Sequence, residues 1–171
     1  MTQPAGADDA HFPTLAGFRA AVSRLPQGVA VLTTVDDDGL PQGVTVGSVI
    51  PLSKRPPLLA VSLDRRAGML AVVLTAGRFA INVLHSEASG IAALFATPGV
   101  NRFASTAWTS GGGGLPVLRE HSSAVIECAV SETVDGGDHV IVIGAVEDSS
   151  TLPAQDPLVY KGRRYFGLHP L

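Results

Sequence analysis

The sequence predicts a mainly β protein, an antiparallel barrel with a few short flanking helices. Three observations carry this. Roughly six to eight β-branched or apolar runs follow one another, most of them joined by tight turn signals. Only two or three stretches show helical spacing. The chain is also core-rich, with 46% hydrophobic against 16% charged residues. Its 171 residues suffice for one sizeable core. A two-sheet sandwich is the alternative architecture.

The elements follow in order. Residues 1–12 are polar and bear Gly and Pro, and are expected to form a disordered tail. Residues 13–171 are expected to form a single domain. Thr14 can cap a helix whose Leu15, Phe18, Val22 and Leu25 share one side. Pro26 and Gly28 end it. Val29 to Val35 reads as a strand, and Asp38-Gly39 supplies the positive φ angles of a hairpin turn. Pro41 to Ile50 returns as a strand. Pro51 and the pair Pro56-Pro57 fix a rigid turn, and Leu58 to Leu63 is the next strand.

Ala67 to Ala76 reads as a helix stopped by Gly77. Arg78 to Leu84 is a strand. Ser86 can cap a helix through Ile91, Leu94 and Phe95. Residues 97–117 read as irregular, with Gly111 to Gly114 flexible and costly to order. Ala124 to Val134 and Val140 to Val146 are strands around Asp135-Gly-Gly-Asp138. Leu158 to Tyr160 and Tyr165-Phe166 pair across Lys161-Gly162.

The bulk numbers exclude several function classes. Twelve Lys and Arg against 15 Asp and Glu give a net charge of -3. That balance argues against nucleic-acid or anionic-membrane partners, which favour a basic face. The start of the chain lacks the basic and apolar regions of a signal peptide. No run of roughly 18 apolar residues is present to span a membrane. A single cysteine, Cys128, forms no internal disulfide, which suits a reducing cytoplasm; it reads as a small buried strand residue. The histidines show no metal-ligand spacing, so no metal site is expected. No Gly-x-Gly-x-x-Gly follows a strand, and no nucleophile elbow is present.

Four segments remain as candidates. Thr45, Val46, Gly47 and Ser48 end a bare-faced strand before a Pro-bounded turn, so their backbone N–H groups can face the rim of a planar ligand. An ordinary β-arch accounts for the same glycines and prolines. Ser62, Leu63 and Asp64 then lead into Arg65-Arg66 just before a helix, a combination suited to phosphate; a solvated loop is the plainer account. Asn82 and Val83 interrupt and continue an apolar strand, where Asn82 either faces solvent or offers hydrogen bonds to a ligand chain. Arg102-Phe103 and Trp108 can stack a nucleotide base. His139 follows Gly137-Asp138 at the start of an apolar strand, where a histidine is either structural or tunes a proton near a cofactor.

Together these pieces resemble the short-chain flavin reductases of the FMN-binding split-barrel fold. The matching segments are the Leu25-Pro-x-Gly-Val29-x-Val-x-Thr33 run, Thr45-x-x-Ser48, Leu52-Ser53-x-x-Pro56-Pro57-Leu58 and Phe79-x-Ile81-Asn82-x-Leu84. Arg102-Phe103, Leu115-Pro-Val-Leu118, Gly137-Asp138-His139 and Pro157-Leu-x-Tyr160 with Tyr165 complete the set. The resemblance spans about residues 15 to 168. One departure stands out: many relatives read Ser-Ser-Phe where this chain has Gly47-Ser48-Val49.

The resemblance implies an antiparallel Greek-key split barrel and a homodimer with flavin sites near the subunit boundary. It implies an activity in which NADH or NADPH reduces FMN or FAD, with NADH favoured. The reduced flavin then diffuses to a partner flavin-dependent monooxygenase. It places Thr45, Val46, Gly47 and Ser48 at the flavin ring, and Ser62, Leu63, Arg66, Asn82 and Val83 along the ribityl and phosphate part. His139 and Phe103 would face the nicotinamide dinucleotide, with Tyr165 near the ring. No residue is committed as a covalent or acid–base catalyst, because hydride chemistry belongs to the flavin and nicotinamide. Alternatives are a split-barrel enzyme that keeps its flavin and acts on another small molecule, and a non-catalytic flavin- or haem-binding protein.

Overall fold

The computed structural model describes residues 14–153 and 156–168. The expected tail, residues 1–12, lies outside them. Helix α1 spans Leu15–Val22, and the Thr14 hydroxyl accepts the Gly17 N–H at 3.2 Å, as its capping chemistry predicts. Strands β1 (Gln27–Gly28), β2 (Ala30–Val35), β3 (Pro41–Val46), β4 (Ile50–Lys54) and β5 (Pro57–Asp64) follow. Next come α2 (Gly68–Ala76), β6 (Arg78–Leu84), α3 (Ser89–Ala96), β7 (Thr109–Ser110) and β8 (Pro116–Val117). The chain ends in β9 (Ser122–Gly136), β10 (His139–Thr151), β11 (Val159–Lys161) and β12 (Arg164–Phe166). Among the described residues no helix is long and apolar enough to cross a membrane.

Seven antiparallel strands form one sheet in the order β3-β2-β6-β9-β10-β5-β4. Laid flat, its two edge strands would stand about 29 Å apart. Yet β3 and β4 are joined only by residues 47–49, which reach roughly 14 Å at full extension. The sheet therefore curls until its edges nearly meet. The barrel is not closed by a hydrogen-bonded ladder, because β3 and β4 do not pair. It is a split barrel, and the split lies at Gly47–Val49.

Two apolar clusters follow from strand alternation. Leu32, Val61, Phe79, Ile81 and Val142 fill the inside, closed by Leu70 and Val73 of α2. Val29, Val31 and Leu84 point outward and are covered by Ala92 and Phe95 of α3, with Leu118 and Leu158. Strand β2 is buried along nearly its whole length for this reason.

Several sequence expectations are corrected. The strand drawn from Pro41 to Ile50 breaks at Gly47, because the chain must cross the split there. Pro51 lies within β4, at a free sheet edge where its missing N–H costs nothing. In the Asp36–Leu40 turn only Gly39 has positive φ, at 75°. The Asp36 carboxylate accepts the N–H groups of Asp38 and Leu40 and an amide hydrogen of Gln42. These bonds, the one from Leu40 first, hold its pKa below the usual carboxylate range.

Ser86 caps no helix. Its N–H donates to Asp156 O at 2.7 Å, and α3 starts three residues later, at Ser89. The Gly111–Gly114 run is ordered against Glu127 and Arg78. Gly112 N–H donates to Glu127 Oε1 at 3.1 Å. Gly113 has φ 66°, and a Cβ there would lie 2.0 Å from Arg78 Nη1. The glycines permit a close approach that any side chain would block.

Candidate functional site

The curl of the sheet and the β11–β12 hairpin build one cavity. Strand β1 pairs with β11 in the register Gln27↔Tyr160, and β11 pairs with β12 as Tyr160↔Tyr165. This hangs both tyrosines over the end of β3. Thr45, Val46, Gly47, Gln27, Tyr160 and Tyr165 line a cavity of about 240 Å³. Thr45 is anchored from outside: its hydroxyl donates to Ala92 O of α3 at 2.7 Å. The tyrosine rings stand 5.2 Å apart at 55°, giving an aromatic wall. Partial burial raises the Tyr165 phenol above its usual range, so it stays a neutral donor at physiological pH.

Among the described residues, no backbone hydrogen bond uses the N–H groups of Gly47, Ser48 or Val49. An aromatic wall beside such unpaired donors fits a planar, polar-edged ring. A Cβ on Gly47 would lie 2.7 Å from Gln27 Oε1, so only glycine lets that side chain settle here. Four of the sequence candidates, Thr45, Val46, Gly47 and Tyr165, thus meet at one place. Gln27 and Tyr160 were missed. Pairing across Lys161-Gly162 was a usable signal for Tyr160, whereas nothing local marks Gln27.

Ser48 sits at the split but its hydroxyl is engaged. It donates to Ser62 O at 3.0 Å and accepts from Ser62 N at 3.1 Å. This reciprocal clip fastens the crossing segment to β5. The Ser48 hydroxyl has no proton left to donate, so its N–H is the donor that remains for a ligand. Leu63, 4% exposed, points into the barrel core. Val83 is half-buried and packs on the same core.

Asn82, expected to serve a ligand chain, is placed inside the fold and not among the residues lining the cavity. Asn82 is fully buried. Its amide nitrogen donates to Val31 O at 3.1 Å and Thr33 Oγ1 at 3.0 Å, while its oxygen accepts Leu118 N–H at 2.8 Å. Burial on both faces of the sheet turns this polar residue into a brace between β6, β2 and the segment after β8.

A second constellation lies two positions beyond Ser62 along β5. Asp64 pairs with His139 in the β5–β10 register. His139 Nδ1 lies 2.8 Å from Asp138 Oδ1. A carboxylate there requires Nδ1–H, which leaves Nε2 as the ring's unprotonated nitrogen in the neutral form. The bond and the charge of His139 hold the Asp138 carboxyl below its usual range. Arg66 N–H donates to Asp64 Oδ1 at 2.8 Å, and its largely exposed guanidinium lies 3.7 Å from the same oxygen. Arg65 engages Asp135 and Gly137.

Phe103 stands apart from His139. It packs edge-on to Phe95 at 5.1 Å and to Trp108 at 6.1 Å. It borders a separate cleft of about 420 Å³ with Gln42, Gly43, Arg102 and Trp108. The two residues expected to share the nicotinamide dinucleotide therefore do not meet within one chain.

A family model described as "Flavin reductase like domain" matches residues 22–169. A flavin reductase (NADH) from Kitasatospora aureofaciens is 41% identical over 150 residues, covering 86% of this chain and 78% of the relative. The reductase subunit of a flavin-dependent monooxygenase from Mycobacterium tuberculosis is 36% identical over 156 residues, covering 90% of this chain and 82% of the relative. Among solved structures, a Streptomyces globisporus NADH:FAD oxidoreductase in complex with NAD and FAD fragments superposes with a TM-score of 0.86 at 28% identity. That match covers 92% of this chain and 94% of the other.

Proposed function

The chain belongs to the flavin reductase like domain family, and from that premise we infer that it reduces flavin with a nicotinamide nucleotide for a partner monooxygenase. The single observation that carries the site is the cavity where Thr45, Val46 and Gly47 face Tyr160 and Tyr165 beside unpaired backbone donors.

When bound there, flavin supplies the hydride-accepting ring. The chain's own residues bind and orient it. Free N–H groups at Gly47 to Val49 are placed to oppose negative charge on the ring's polar edge. The tyrosine wall excludes water from one face. Ser62 and Arg66, beyond the Ser48 clip, are the groups left to hold the phosphate part. His139, its ring fixed by Asp138, presents Nε2 to the nicotinamide dinucleotide.

NADH is the proposed electron donor. Family members bear NADH and NADPH names alike, so the preference is read from this chain's charges. Arg65 faces Asp135 and His139 faces Asp138, and Arg66 already serves the flavin phosphate. Such pairing leaves little positive potential for the 2′-phosphate of NADPH. Either FMN or FAD fits the ring site, which touches only what the two share.

The active form is proposed to be a homodimer. Leu15 and Phe18 of α1 and Leu25 beyond it are 61%, 54% and 58% exposed, an apolar surface without a cover among the described residues. Phe18 and Leu25 border a groove that reaches Tyr160, near the proposed ring site.

The test is oxidation of NADH and NADPH followed by near-ultraviolet absorbance, with FMN and FAD each added. Rapid, flavin-dependent loss of NADH is expected. Flavin binding without oxidation of either nucleotide would overturn the reading and favour a carrier.

A further inference from the structure

We propose that Arg65 is a positioning residue for nucleotide binding, a latch that holds the Gly137-Asp138-His139 turn against the end of β5. The proposal rests on the reading that His139 meets the nicotinamide dinucleotide.

The turn needs a latch because the ladder runs out beside it. Strand β6 pairs with β9 only as far as Ala129. Beyond the Val130 N–H, which donates to Gly77 O at 2.8 Å, the β9–β10 hairpin projects with its outer edge unpaired among the described residues, and residues 131–136 are exposed. On the other side, β5 pairs with β10 from Ala145 back to His139, where Asp64 is the last partner. Past His139 no strand among the described residues supports the turn.

Arg65 makes the next contacts, and they reach β9 and the turn. Its backbone N–H donates to Asp138 O at 3.0 Å. Its side-chain Nε donates to Gly137 O at 3.0 Å. Its Nη2 pairs with the Asp135 carboxylate. The guanidinium thus bridges Asp135 on β9 and Gly137 in the turn, while its own backbone holds Asp138. Asp138 in turn orients the His139 ring through Nδ1. Three links thus run from the residue after β5 to the hairpin tip, and the one on Asp138 leads on to the imidazole.

These contacts are poorly placed to serve global stability. The Arg65 side chain is 41% exposed and that of Asp135 86%. Exposed ion pairs contribute little to folding. Their effect falls on local order, and a turn ordered before binding spares the ligand that ordering cost.

The experiment compares Arg65→Ala, Arg65→Lys and His139→Ala in the full chain. Steady-state KM is measured for NADH and for flavin, NAD⁺ affinity by titration calorimetry, Tm by thermal melting, and amide exchange over residues 136–140. For Arg65→Ala we expect KM for NADH and the NAD⁺ Kd to rise about fivefold, as loss of one or two hydrogen bonds implies. Flavin KM should stay within about twofold of its original value and Tm within a few degrees, with faster amide exchange in the turn. Arg65→Lys keeps the charge facing Asp135 but loses the Nε bond, so it should recover part of the nucleotide affinity. The latch is overturned if His139→Ala weakens nucleotide binding while Arg65→Ala does not. It is equally overturned if Arg65→Ala raises both KM values together with a large fall in Tm. If His139→Ala leaves nucleotide binding unchanged, the reading of His139 fails and the latch fails with it.

Discussion

Replacing Asn82 by alanine removes three hydrogen bonds from a site with no access to water. The Leu118 N–H, 2.8 Å from Asn82 Oδ1, loses its acceptor inside the core. An orphaned buried donor costs about 1–3 kcal/mol. The two bonds given by the amide nitrogen, to Val31 O and Thr33 Oγ1, contribute about 0.5–1.5 kcal/mol each. Thr33 remains tethered, since its hydroxyl donates to Pro116 O at 2.5 Å. The expected loss is therefore about 4 kcal/mol, a large share of the roughly 5–15 kcal/mol by which a domain is stable. With a urea slope of about 2 kcal/mol/M, the unfolding midpoint should fall by about 2 M. Flavin affinity, measured by fluorescence quenching well below the transition, should stay within about threefold, because the side chain faces no cavity. Asn82→Asp adds a signed control. Burial disfavours its carboxylate, so the folded-state pKa lies above the unfolded one. The native state then holds the proton more tightly, and stability falls as pH rises, so this variant should be more stable at mildly acidic than at neutral pH. A small midpoint shift accompanied by weakened flavin binding would refute the reasoning and return Asn82 to the ligand.

Three further outcomes are expected. Gly47→Val pushes the Gln27 side chain into the ring cavity, since a Cβ at residue 47 lies 2.7 Å from Gln27 Oε1. Flavin Kd should rise about tenfold or more with Tm changed by only a few degrees, the displaced group being a flexible chain end. Gly113→Ala meets Arg78 Nη1 at 2.0 Å and must hold φ 66°; left-handed strain of about 1–2 kcal/mol plus the displaced guanidinium should lower Tm by several degrees in a thermal melt. Cys128 is fully buried, and burial with nearby Glu147 and Glu127 pushes its thiol up to about 12. Native protein should resist thiol alkylation that proceeds readily in denaturant. The unfolded thiol ionises near 8.5 while the folded one keeps its proton, so stability should decline between that pH and about 12. Cys128→Ala should remove that part of the decline, measured by urea titration at a series of pH values.

The sequence by itself determined most of the strands, the caps at Thr14 and Gly77 and the segment Thr45–Gly47 that lines the cavity. These are local properties. Alternating β-branched residues, a hydroxyl before a helix and a glycine after one act within a few residues of chain. The resemblance carried by motifs such as Thr45-x-x-Ser48 and Gly137-Asp138-His139 also pointed to the family. The sequence left open which candidate side chains are free to act. Asn82 reads as a polar interruption in either account, and only the coverage of β6 on both faces makes it a core brace. Ser48 reads as an exposed hydroxyl until Ser62, fourteen residues away in sequence, takes both sides of it. The Gly111–Gly114 run reads as flexible until Glu127 and Arg78 fill the space its missing side chains leave. Gln27, Tyr160 and the Arg65 latch depend on pairings across as many as 133 positions. The tertiary structure decided these because a hydrogen bond or a close contact is made between surfaces. Which surfaces meet depends on how a seven-stranded sheet curls to let three residues bridge its edges.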